Sequence, residues 1–185
     1  MTLGDLPPDV AAEVAPDEVD LRTERLVLRH WREADRAPFA AMGADPEVMR
    51  FLPALLTRAQ SDALVDRIRT HFAEHGYGLW VVEVDGAFAG FTGLQWSGVT
   101  GQRALEVGWR LARAYWGQGY ATEAARAAID VGLRQVPEVV SFTAISNAAS
   151  ERVMQCAGMR RVGEFDHPRA ELPEHLRRHV LYAAP

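Results

Sequence analysis

The 185-residue sequence contains no lysine; all 20 of its basic residues are arginine. No side-chain amine is therefore available as a Schiff-base nucleophile or as a site of acetylation. A single cysteine, Cys156, rules out an internal disulfide and fits a reducing compartment, the cytoplasm. With no histidine nearby in sequence and a helical position just before Gly158, Cys156 reads as core, not as an acyl-carrying nucleophile. No apolar run approaches the length needed to cross a bilayer, so no membrane partner is expected. Residues 1–20 hold Asp5, Asp9, Glu13, Asp17, Glu18 and Asp20 and no basic residue, which is wrong for a secretory signal. Those six carry −6 of a net charge of −5, leaving +1 for the rest. A body without a net basic field is not a general nucleic-acid binder. Residues 1–20 are expected to be an acidic arm and residues 21–185 one domain, monomeric or homodimeric, whose 48% hydrophobic content suits a single sizeable core.

What is present alternates between strand and helix. Leu21 to Arg29 reads as a first strand. A helix follows from Glu33 to Ala44, and Asp45-Pro46 opens a short helical piece before Phe51-Leu52-Pro53 breaks it. Thr57 caps a long helix to His75, with Leu64, Ile68 and Phe72 near one face and Gly76 at its end. His71 and His75 lie one turn apart, but Phe72 stands where a metalloprotease needs glutamate, so they read as a solvated helix end; no metal is expected. Asp85-Gly86 between Leu79–Val84 and Ala87–Trp96 signals a hairpin. Arg160–Phe165 and Val180–Tyr182 read as the last strands, joined by a polar loop with Asp166, His167 and Pro168.

The chain is organised around Leu105 to Ala125. Leu105–Leu111 reads as a strand, and an alanine-rich helix starts near Thr122. Between them Trp116-Gly117-Gln118-Gly119-Tyr120 forms a glycine turn whose free amides suit a phosphate. A P-loop would need Lys and Ser or Thr where Tyr120 and Ala121 stand, and a Rossmann fingerprint would need glycine at Thr122. A dinucleotide oxidoreductase is thereby disfavoured. A second block follows: the β-branched run Val139–Ala144, then Asn147-Ala-Ala-Ser150-Glu-Arg152-Val-Met154, ending at Gly158-Met159. Asn147 or Ser150 is its candidate cap.

These paired motifs resemble the GNAT N-acetyltransferase superfamily, and within it the branch containing ribosomal-protein N-terminal acetyltransferases, over about Leu21 to Tyr182. The resemblance implies an α/β fold: a single twisted, mostly antiparallel sheet with central splayed parallel strands and helices on both faces. It also implies acetyl-CoA as co-substrate. The pantetheine arm would pair with main-chain groups near Trp109, Arg110 and Leu111, and the pyrophosphate would rest on the amides from Gly117, Gln118, Gly119, Tyr120 and Ala121 to Thr122. The side-chain amide of Asn147 matches the family's pantetheine contact, the favoured reading, although an Asn at a helix start is also an ordinary cap. Arg152 reaches the cofactor or is a surface arginine.

An amine attacking a thioester needs a base, an oxyanion site and a proton for the leaving thiolate. Strand alternation puts Glu106, Gly108 and Arg110 on one face, and Glu106 is the expected base. The place of the family's general-acid tyrosine is held by Met154, and the resemblance to the branch suggests Ser150, one turn earlier on the same helix, as the substitute donor, with a helix cap as its other reading. Trp31, Phe51, Trp80 and Trp96 are candidates to line the acceptor cavity. The expected activity is acetyl transfer to a primary amine, on a peptide or protein N-terminus or a small molecule. The alternative is a CoA-binding or regulatory module without turnover.

Overall fold

The computed structural model describes residues 20–170 and 172–185; the acidic arm, apart from the exposed Asp20, lies outside them. Eight strands form one sheet in the order β1-β2-β3-β4-β5-β6-β8-β7. They are β1 (Leu21–Arg22), β2 (Val27–Arg29), β3 (Leu79–Val84), β4 (Ala87–Ser97), β5 (Ala104–Leu111), β6 (Val139–Ala144), β7 (Arg160–Asp166) and β8 (Arg178–Ala184). Every neighbouring pair is antiparallel except β5 and β6. Four helices accompany them: α1 (Arg36–Ala44), α2 (Arg58–His75), α3 (Tyr120–Gly132) and α4 (Ala148–Cys156).

The single first strand expected from Leu21 to Arg29 is in fact two. Thr23 accepts the amide of Leu26, closing a turn that folds β1 back on β2. The segment 45–50 forms turns, not a helix. Elsewhere local signals act as their chemistry dictates. Thr57 accepts the Gln60 amide and Gln60 returns the bond to the Thr57 amide, a reciprocal cap, and Gly76 ends α2 at φ 70°. Asp85 and Gly86 both adopt positive φ in the β3–β4 hairpin.

The helices cover opposite faces. Phe39 of α1 packs its ring 6.0 Å from Phe91 of β4, while Gly132 of α3 lies so close to Val139 that an added Cβ would approach its Cγ2 to 2.6 Å. Leu94 and Leu105 border the same glycine, on the side opposite Phe91 by strand alternation. Helix α2 packs on α1, and its Phe72 ring meets Trp80 at 5.4 Å. One buried charge cluster ties the start of the fold together: Arg29 in β2 forms a bidentate pair with Asp35 at 2.8 Å and also bonds Glu83. Both Arg29 and Asp35 are buried, so each depends on the other for compensation.

Candidate functional site

Strands β5 and β6 pair at only two positions, Leu105 with Val139 and Glu106 with Val140. Beyond these β5 continues to Leu111 and β6 to Ala144 with no pairing between them, while β4 and β8 keep their outer edges in full register. A wedge thus opens toward the C-terminal ends of two parallel strands. Antiparallel strands turn successive residues' main-chain groups to alternate sides. The Ala112 amide bonds the Ala89 carbonyl on β4, so Arg110 also directs its main chain to β4, and Trp109 and Leu111 direct theirs to the wedge. The Leu111 carbonyl is taken by the Trp116 indole at 2.8 Å. Arg110 thus offers the wedge no main-chain group, which corrects one member of the expected main-chain set.

At the mouth of the wedge, Gly117 and Gly119 both hold left-handed backbone, φ 73° and 80°, which only glycine adopts without strain. Gly119 is the N-cap of α3, whose first residue, Tyr120, comes two residues before the start expected near Thr122. The first helical bond runs from the Glu123 amide to the Gly119 carbonyl, so the amides of Tyr120, Ala121 and Thr122 have no intrahelical partner. A Cβ built on Gly117 would meet nothing within 4 Å, and on Gly119 only Arg25 Nη2 at 3.4 Å. Free amides at a helix N-terminus, beside open space at Gly117, fit a pyrophosphate.

Arg25, which sequence reasoning passed over, braces this turn from β1–β2. It donates to the Gln118 carbonyl at 2.8 Å and to Glu123 at 2.7 Å, and its guanidinium lies 4.9 Å from the Tyr120 ring centre. Partners nearly 100 residues away leave no local signal. A cleft of about 530 Å³, lined by Arg22, Arg25, Asp85 and Tyr120 among others, flanks the turn.

At the apex stands Glu106. It is buried, opposite Gln95 on β4, and burial pushes its carboxyl up from 4.5 to about 7 against the opposing influence of Ser97 and Gln95. That places its titration where a general base for neutral-pH chemistry needs it. Two residues on, Gly108 leaves open space on the same face, since a Cβ there would meet nothing within 4 Å.

Across the wedge, Asn147 is the cap of α4. Its Oδ1 accepts the Ser150 amide at 3.3 Å and its Nδ2 donates to Thr143 and to Ser150 Oγ. Ser150 is therefore not the cap, and because its Oγ accepts from Asn147 its own proton is free to be given elsewhere. Met154 is fully buried and Arg152 is exposed. Cys156 is exposed too, contrary to its expected core position, because it lies about 200° round α4 from the buried Met154.

Of the four aromatics expected to line an acceptor cavity, three do something else. Trp31 is buried among Phe39, Phe88 and Phe91 with its indole on the Leu79 carbonyl. Trp80 is core, 2% exposed. Trp96 projects from the α3 side, bonded to Tyr77 and stacked under Arg103. Phe51 remains partly exposed in the loop before α2. Instead, the face beside Glu106 carries Phe142, Phe165, His167 and His179 with ring centres 5.0 to 6.3 Å apart. Burial holds both histidines below their ordinary pKa, so this wall is uncharged at neutral pH. Among the described residues no group of three or more His, Cys, Asp or Glu is placed to hold a metal, and no helix is long and apolar enough to cross a membrane.

Residues 25–160 match the family model described as acetyltransferase (GNAT) domain. The chain is 34% identical over 144 residues to an uncharacterized protein, YkkB, of Bacillus subtilis, covering 75% of this chain and 84% of that one. The fold matches an acetyltransferase from Agrobacterium tumefaciens (TM-score 0.76, 22% identity, 91% and 95% of the two chains). It also matches RimJ of Mycobacterium smegmatis in complex with CoA-disulfide (TM-score 0.69, 22% identity, 86% and 81% of the two chains). A wedge between parallel strands, a free-amide turn at its mouth and a match across most of the sequence agree: this chain belongs to the GNAT acetyltransferase family.

Proposed function

We propose that this protein transfers the acetyl group of acetyl-CoA to a primary amine by direct attack within a ternary complex. The observation that carries the reading is the position of Glu106, buried with a carboxyl near 7 at the last pair before β5 and β6 part. Acetyl-CoA supplies an activated acyl carbon held as a thioester. Trp109 and Leu111 amides border the wedge in which its arm would lie, and those of Gly117 to Thr122 would take the pyrophosphate. Glu106 would accept the ammonium proton, directly or through water. The amides lining β5 would hold the developing oxyanion, and Ser150 would return a proton to the thiolate.

A base near pH 7 favours one class of amine. An α-amine of pKa 7.7–8.0 costs about 1 to 1.4 kcal/mol to deprotonate at pH 7, whereas a lysine-type amine costs about 4 to 5 kcal/mol. A peptide or protein N-terminus, or a small amine of low pKa, is therefore the acceptor class we assign. Residues 21–185 form the catalytic unit in this reading, with residues 1–20 as a separate acidic arm, and the enzyme works in the cytoplasm as a monomer or homodimer. The test is thiol release from acetyl-CoA with α-amino peptides, polyamines, amino acids and aminoglycosides. Fastest release with an α-amine supports the assignment. Tight CoA binding with no release from any amine would make the protein a non-catalytic CoA module.

A further inference from the structure

Arg110 leaves a strong interaction unused beside the reacting centre. Its side chain shares the face of β5 that carries Glu106 and the open space at Gly108. The guanidinium stacks on Phe91, its centre 5.2 Å from the ring, and Nη1 is buried with no hydrogen-bond partner. No carboxylate pairs with it among the described residues, and Glu106 does not reach it. Burial alone pushes this arginine down from its ordinary value to about 10. A guanidinium has five donors and no way to shed its charge at neutral pH. Arg110 as a whole is half-buried, but a sealed nitrogen without an acceptor costs stability unless something fills the gap, and what matches the planar fork is a carboxylate.

We propose that Arg110 anchors a carboxylate on the acceptor, making the substrate an amine that also carries an acidic group. The inference rests on the acetyl-transfer reading and narrows it. Arg110 lies four steps along the strand from Glu106, about 13 Å between Cα atoms. With the amine at Glu106 and the acid at Arg110, the two groups of the acceptor are several bonds apart. An acidic side chain close behind a peptide's N-terminus fits, and so does the free carboxylate of a short peptide.

The test compares matched acceptors that differ only in that charge: Ala-Asp and Ala-Asn peptides with amidated C-termini for the side-chain source, and diglycine and diglycinamide for the free carboxylate. Wild type is expected to show at least a tenfold lower KM for the acidic member of one pair. Arg110→Gln is expected to abolish that preference while leaving the neutral member's kinetics and the affinity for CoA within about twofold, and Arg110→Lys to restore part of it. The pair that shows the effect identifies the source. Equal KM values within both pairs in wild type, or a preference that survives Arg110→Gln, would overturn the anchor. Calorimetry with the N-acetylated Ala-Asp and Ala-Asn peptides on the CoA complex reads the same preference without turnover. If no acceptor releases thiol yet the acidic product still binds tenfold tighter in an Arg110-dependent way, the anchor stands and the transfer reading fails.

Discussion

Glu106 and Val140 form the last pair between β5 and β6, and the open wedge starts immediately beyond them. A carboxyl at this point is both dry enough to have its pKa raised and next to the gap in which an acyl group would lie. Position and acidity have one cause, since the strands pack tightly until they part.

Glu106→Gln tests that pairing of burial and chemistry on two scales. In wild type kcat/KM should rise with pH through an apparent pKa near 7, and the Gln variant should lose this limb, so that its deficit is larger at pH 9 than at pH 7. An equal drop at both would remove Glu106 as base. The stability effect has the opposite direction. The folded-state carboxyl, raised from 4.5 to about 7, contributes stability that is whole below about pH 4.5 and lost as pH rises through 7. Relative to wild type, the Gln variant should therefore gain up to about 3 kcal/mol between pH 5 and pH 8 in denaturant melts.

Gly119→Asp places a Cβ at φ 80°, in contact with Arg25, and a negative charge where the free amides of α3 point. CoA affinity should fall by at least tenfold, with about 1 kcal/mol of destabilisation from the backbone. Unchanged affinity by calorimetry would move the pyrophosphate away from this turn.

Arg25→Ala removes the bonds to Gln118 and Glu123 without touching the wedge. A several-fold rise in KM for acetyl-CoA at nearly constant kcat is the expected outcome. A fall in kcat alone would mean that Arg25 serves the acceptor instead.

Asn147 and Ser150 should separate structure from chemistry. Asn147→Ala loses the cap of α4, about 1 kcal/mol by thermal or denaturant melting. Ser150→Ala should lower turnover with a smaller effect on stability. Intact turnover would leave Ser150 only the role of holding the Asn147 amide.

The parts of this site legible in the sequence are the local ones. Gly117, Gly119 and the helix after them declare a turn within a few residues, and the alternation of Leu105–Leu111 is enough to put Glu106, Gly108 and Arg110 on one face. Contacts between distant segments leave no such pattern. Nothing near Arg25 hints at Glu123, and nothing near His179 hints at Phe142 and Phe165. Trp31, Trp80 and Trp96 show the matching limit: an aromatic on a strand or just past its end suits a core as well as a cleft, and only the packing of the assembled fold assigns them. The split of β1 from β2 is closed by Thr23, whose side chain and main-chain amide both bond Leu26 and fold back an otherwise strand-like run.

The most direct measurement is amide hydrogen exchange with and without CoA. Slower exchange confined to Trp109, Leu111, Gly117 to Thr122 and the start of α4 is expected if the wedge seats the cofactor. CoA binding that protects another surface and leaves Trp109 and the Gly117–Thr122 amides unchanged would contradict it.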